Sequence, residues 1–224
     1  DAFQQTSVDE AYLDLSSLGS FDAAVERARG LKAEILTQEG LTASVGIGPN
    51  KLVAKVASDF QKPDGLVVVR PDEVQPFLDP LRIRVIPGIG PKTEQFLHER
   101  RIHTIADLRT REQAELEEWL GRPGADLYAK ARGLSESEVS NQRERKSVGE
   151  QETFEVDTLD APFVLERARA LAHMVWSRLE GHSFRACRTV TVTVRFENFT
   201  TLARSRTSRE AWTSEETLGA VALE

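Results

Sequence analysis

Cysteine and methionine are almost absent from this chain of 224 residues, which holds one of each, Cys187 and Met174. A lone cysteine cannot close an intramolecular disulfide, and no charged-then-apolar leader opens the chain, so a reducing cytoplasm is the expected compartment. No apolar run approaches the ~18 residues of a membrane-spanning helix, and no membrane partner is expected. The solitary methionine, with an aspartate at position 1, predicts a chain that was processed or is a piece of something longer. His98, His103, His173 and His182 show no metal-ligand spacing with Cys187, which argues against zinc. Neither a P-loop nor a nucleophile elbow occurs.

What is present reads as a folded protein, with 40% hydrophobic and 29% charged residues. A net charge of −7 speaks at face value against nucleic acid, because a phosphate-binding surface needs Lys and Arg. The distribution of that charge weakens the objection. Residues 1–80 carry 7 basic and 13 acidic side chains, whereas residues 81–142 carry 10 of each. Residues 184–209 hold six arginines (Arg185, Arg188, Arg195, Arg204, Arg206 and Arg209) against Glu197 alone. Fields act over a Debye length of roughly 8 Å, so a basic face can exist on an acidic whole.

Hydrophobic periodicity and Gly/Pro punctuation predict an α+β chain in three parts. In residues 1–80, strands alternate with two helices, Phe21 to Gln38 and Lys51 to Phe60. Residues 81–142 read as a small all-helical unit. Residues 143–224 carry strand candidates at Glu150 to Phe154, Thr189 to Phe196 and Thr201 to Ser205, with a helix from about Ala161 to Leu179. Gly133 to Gly149, polar and rich in Ser and Glu, is the linker candidate.

Asp9 and Glu10 are the first residues with chemistry to offer. Adjacent acids repel each other, and a bound divalent cation relieves that repulsion. Neighbours on a regular strand point to opposite faces, so both reach one ion only where the strand bends, as at a hairpin tip over Ser7 to Glu10. Taken alone, the pair reads far more readily as two solvated turn residues. The stretch Ser7-Val8-Asp9-Glu10-Ala11-Tyr12-Leu13-Asp14-Leu15-Ser16 resembles the second carboxylate motif of the Y-family, translesion DNA polymerases, of the bacterial polymerase IV type. The resemblance continues in that family's order through Thr42 to Lys51, Ala54 to Asp59, Gln61-Lys62-Pro63-Asp64-Gly65, Ile86 to Thr93 and Arg145-Lys146-Ser147-Val148-Gly149.

This resemblance implies a partial palm over 1–80, a thumb with a helix-hairpin-helix over 81–142, and a linker with an incomplete α/β little finger over 143–224. It implies template-directed DNA synthesis past lesions, with primer-template DNA and dNTP as partners and a monomer as the expected state. Two Mg2+ ions ~3.5–4 Å apart suit such phosphoryl transfer. By resemblance Asp9 and Glu10 are their ligands and Lys62 contacts the triphosphate. Lys55 and Asp59, at i and i+4 on one helix, read equally as a structural ion pair.

The helix-hairpin-helix glycines Gly88 and Gly90, with Lys92 in the following first turn, suit a backbone phosphate held by free N–H groups. Along Arg188 to Phe196 the alternation puts the threonines and Arg195 on one face, with Arg204, Arg206 and Arg209 expected to extend its charge over DNA. Arg145, Lys146 and Ser147 suit a phosphate bridge as well as a tether. The family's first metal-binding aspartate and its aromatic gate against ribonucleotides precede these motifs and have no counterpart in the chain. The chain alone is therefore expected to bind DNA without extending a primer. A sliding clamp would be met only through chain beyond residue 224, and a non-catalytic accessory protein on the same scaffold is the competing class.

Overall fold

The structure is a computed structural model that describes residues 2–141, 146–181, 184 and 186–223. By its contacts the chain divides into two compact units, Asp1–Arg143 and Glu144–Glu224.

The first unit begins with an antiparallel hairpin, β1 (Phe3–Gln5) and β2 (Ala11–Leu13), in the register Gln4 opposite Tyr12. Helix α1 (Phe21–Glu39) starts where the Ser20 side chain accepts from the Ala23 N–H and stops at Gly40 in the left-handed region. A parallel pair follows, β3 (Val45–Ile47) and β4 (Leu66–Val68), joined through helix α2 (Lys51–Phe60). Asn50 caps α2 by accepting from the Val53 N–H at 3.0 Å. Four residues, Leu52, Val53, Val56 and Ala57, turn the apolar stripe of α2 into the core. The stripe Lys51, Lys55 and Asp59 is left on another face.

Gly46 sets how close α2 lies to β3. A Cβ at Gly46 would stand 2.1 Å from the Ala54 carbonyl oxygen and 2.3 Å from the Ser58 nitrogen, both main-chain atoms of α2. No side chain fits there.

From residue 71 the unit is helical, with α3 (Val74–Leu78), α4 (Pro91–His98), α5 (Ile105–Arg109), α6 (Gln113–Leu120) and α7 (Arg122–Ala131). Val53, Ile83, Leu97, Ile102, Ile105, Leu108 and Leu116 are fully buried in one cluster that runs from α2 to α7. The palm-like and thumb-like stretches therefore share a core.

Residues after α7 were expected to form a free linker, but the chain to Asn141 is fastened to this unit. Asn50 Nδ2 donates to the Gly133 carbonyl at 2.8 Å, Lys51 Nζ to Ser137 Oγ at 2.8 Å and to the Glu138 carbonyl at 3.0 Å, and the Phe3 N–H to Asn141 Oδ1 at 2.7 Å. Polar, Ser-rich composition suits a tether, and it suits equally a strap held by side-chain hydrogen bonds.

The second unit packs α8 (Ala161–Gly181) and α9 (Glu215–Leu223) around Ala172, Trp176, Leu179 and Leu218, with a long hairpin of β5 (Cys187–Arg195) and β6 (Thr201–Trp212). The strand expected at Glu150 to Phe154 does not form. Glu150 pairs with Arg178 at 2.8 Å, Glu152 with Arg167 at 2.9 Å, and Phe154 meets Phe163 edge to face, so side chains hold this segment along α8. Its two acids and Phe154 serve that contact.

Candidate active site and nucleic-acid interface

The turn Thr6 to Glu10 supplies the bend that two adjacent carboxylates require. The Thr6 and Ser7 N–H groups both donate to the Glu10 carbonyl, at 2.9 and 3.3 Å. Ser7 Oγ donates to Asp9 Oδ1 at 2.6 Å. That hydrogen bond and the Asp9 N–H, helped by the charges of Lys62 and Lys55, hold the Asp9 carboxyl below the usual aspartate range. Asp9 consequently stays ionised to lower pH than an ordinary aspartate. Ser7→Ala is expected to move the Asp9 midpoint upward in a carboxyl 13C NMR titration, and an unmoved midpoint would show that Ser7 is not the cause.

Glu10 reaches across to α2. Its Oε1 accepts from Lys55 Nζ at 2.6 Å, Lys55 also meets Asp59 Oδ2 at 3.3 Å, and Asp59 Oδ1 pairs with Lys62 Nζ at 2.6 Å. Acid and base thus alternate along one line, Glu10, Lys55, Asp59, Lys62. Burial alone would lower the Lys55 pKa, but its bonds and charges with Glu10 and Asp59 outweigh that and raise it. Burial would likewise raise Asp59, and Lys62 with Lys55 brings it below the usual range. Both effects favour the charged forms of Lys55 and Asp59. One turn earlier on α2, Lys51 Nζ donates to Gln4 Oε1 at 2.9 Å and lies 5.3 Å from the Tyr12 ring centroid. Lys51 and Lys55 together hold the first hairpin against α2, so Asp9 and Glu10 stand on a braced turn.

The donor set fits a hard divalent cation as far as it goes, being two neighbouring carboxylates with oxygen-only chemistry. Among the described residues no group of three or more His, Cys, Asp or Glu could hold a metal ion. Asp9 and Glu10 are hence two neighbouring oxygen donors and not a closed cage.

The turn before α4 has its own geometry. Ile86 and Ile89 are buried and anchor it, while Pro87 and Gly88 lie exposed between them. Gly88 adopts φ 105°, a region that strains any other residue. Lys130 Nζ donates to the Pro87 carbonyl at 2.8 Å, and Arg84 donates to the Ile89 carbonyl. Gly90 precedes α4 with no capping side chain. The first N–H groups of α4 are thus left for an external acceptor, with Lys92 exposed in that turn.

Residues 1–59 match the impB/mucB/samB family, residues 84–135 the DNA polymerase-iota thumb domain, and residues 145–224 the impB/mucB/samB family C-terminal domain. The chain is similar to DNA polymerase IV of Methanoculleus marisnigri, 46% identical over 96% of this chain and 59% of that protein. It is also similar to DNA polymerase IV 2 of Methanosarcina mazei, 44% identical over 96% of this chain and 58% of the relative. Among solved structures, a Y-family DNA polymerase chimera of Dbh and Dpo4 superposes with a TM-score of 0.82 at 32% identity, covering 100% of this chain and 64% of that one. The chain is a homologue of the Y-family DNA polymerases of the polymerase IV kind. It spans about three-fifths of the length of those curated relatives. A mixed α/β palm-like region, a helical thumb with a helix-hairpin-helix and a sheet-bearing little-finger-like region account for its elements.

In the little-finger-like unit of this Y-family homologue, the expected single basic face is divided. Strand register sets Arg195 opposite Thr201, Thr191 opposite Ser205 and Thr189 opposite Thr207, with the paired hydroxyls 2.8 and 2.9 Å apart. Arg204 and Arg206 lie opposite Val192 and Val190, on the other side of the hairpin. The hydroxyl face therefore carries Arg195, while Arg204 and Arg206 flank the side whose Val190 packs on the helical core. Lys146 and Ser147 are exposed ahead of Val148, which packs against that core. Arg145, like Arg185, falls outside the described residues. Sequence reasoning missed the bond from Lys55 to Glu10, 45 residues apart, because only the Lys55 to Asp59 spacing is local. It also missed Lys130, whose tie to the Gly88 turn crosses from α7.

No helix among the described residues is long and apolar enough to cross a membrane.

Proposed function

We propose that the whole protein to which these residues belong carries out template-directed DNA synthesis past lesions, joining a dNTP to a primer 3′-hydroxyl. The observation that carries this reading is the braced turn holding Asp9 and Glu10 beside Lys62, in a homologue of Y-family polymerases. When bound, two Mg2+ ions would supply activation of the primer hydroxyl and neutralise charge on the phosphates. Asp9 and Glu10 would be carboxylate ligands there, with Ser7 fixing the orientation of Asp9. Lys62, on the exposed end of its charge line, would meet the triphosphate as a mobile point charge. With two carboxylates and no third acid converging among the described residues, this chain by itself is expected to bind primer-template DNA and not extend it.

Phosphate contact by the open N–H groups before α4, with Gly88, Gly90 and Lys92, would grip DNA without reading its sequence. Arg195, Arg204, Arg206, Lys146, Ser147 and Arg145 would add contacts of the same kind. Lys92→Ala is expected to weaken primer-template binding equally for every sequence and to reduce the salt slope by about 1, read from fluorescence anisotropy over a salt series. A loss that depends on sequence would contradict a phosphate contact.

A further inference from the structure

Lys55 is joined to both halves of the candidate site. Its ammonium lies 2.6 Å from Glu10 and 3.3 Å from Asp59, and Asp59 in turn holds Lys62 at 2.6 Å. Lys55 is also the most enclosed of the four, with 26% of its side chain exposed against 44% for Glu10, 46% for Asp59 and 52% for Lys62. A cation that holds one oxygen of a carboxylate pair at hydrogen-bond distance competes with any other cation for that carboxylate. A second acceptor, already close by, gives the displaced ammonium a place to go.

We infer that Lys55 is a positioning residue that balances the charge of Glu10 until a divalent cation takes it, and that then passes to Asp59, loosening Asp59 from Lys62. Lys55 acts through its neighbours and touches neither substrate nor the reacting atoms. Cation entry at one end of the line thereby frees Lys62 at the other end for an anionic ligand such as a triphosphate. This inference rests on the reading of Asp9 and Glu10 as cation ligands. An i, i+4 ion pair that merely supports α2 would do none of this.

The test titrates Mn2+ into the 224-residue chain and follows free Mn2+ by electron paramagnetic resonance. Lys55→Met is expected to bind Mn2+ about 10-fold more tightly than the unaltered chain, because it removes a competing positive charge of the kind that alters a carboxylate's affinity for a proton by ~1–3 pKa units. Lys55→Arg, which keeps the charge, is expected to bind like the unaltered chain. Mg2+ is also expected to shift the Lys62 15Nζ resonance in the unaltered chain and to leave it in place in Lys55→Met. Thermal melts check that each variant is folded, and Lys55→Gln takes the place of Lys55→Met if the latter is not. Equal or weaker affinity in the charge-removing variant, including no measurable binding in either protein, overturns the inference. The double substitution Asp9→Asn with Glu10→Gln separates the two claims. If it abolishes Mn2+ binding while Lys55→Met changes nothing, the role of Lys55 fails and the cation-site reading stands. If it leaves Mn2+ binding intact, the cation-site reading itself fails.

Discussion

Replacing Asp9 or Glu10 with alanine is expected to abolish primer extension while leaving DNA binding within about twofold, in a chimera completed by those parts of the Methanoculleus marisnigri polymerase that this chain does not match. The separation follows from where the residues sit. Both lie on the exposed turn between β1 and β2, outside the buried cluster, so removing them takes away two carboxylates and little packing. Losing an outer partner costs a metal site ~10–100-fold, and losing a direct ligand is expected to cost more. DNA affinity depends on neutralised phosphates elsewhere in the chain. Gel-based extension and anisotropy on the same preparation check this, and equal loss of both would mean that the pair is structural.

The Gly46→Ala substitution is expected to destabilise the first unit severely. A methyl group there would overlap main-chain atoms of α2 at 2.1 and 2.3 Å, and no rotamer change can relieve a clash with backbone. Either α2 moves or β3 does; α2 is fixed by Val53, Val56 and Ala57 in the core, and β3 by its ladder with β4. Overpacking typically costs 1–3 kcal/mol with larger values where nothing yields, so ~3 kcal/mol or more is expected, against a domain stability of only ~5–15 kcal/mol. Calorimetry should show the melting temperature of this unit falling by roughly 10 °C. The consequence also reaches the site, because α2 carries Lys55 and Asp59. A Gly46→Ala chain with unchanged melting would contradict the close helix-strand approach.

Local chemistry made much of this legible from sequence. Asn50 and the stripe Leu52, Val53, Val56 and Ala57 announce α2 from Lys51 to Phe60, and the structure has those limits. Ser7 to Glu10 could be read as a bend before β2, and it is one. What escaped depends on contacts between distant segments. Alternation assigns faces within β5, but the face of Arg204 and Arg206 depends on the length of the loop Phe196 to Thr200, which pairs Arg195 with Thr201. One residue more or fewer in that loop would carry both arginines to the Arg195 face. Likewise Glu150 to Phe154 reads as a strand candidate, yet a strand needs a ladder partner, and arginines of α8 compete for its acids. For Lys55, the visible spacing to Asp59 concealed the stronger bond to Glu10, which only tertiary packing of the hairpin on α2 creates.

Paired assays of the chain alone and of the completed chimera test the central claim most directly, with DNA binding and Mg2+-dependent nucleotide addition measured on the same primer-template. The expected result is that both bind DNA with strong salt dependence, that only the chimera adds nucleotides, and that chelation stops it. A folded chimera that binds the primer-template but adds no nucleotide with Mg2+ present would contradict the account, as would nucleotide addition that survives loss of Asp9 and Glu10.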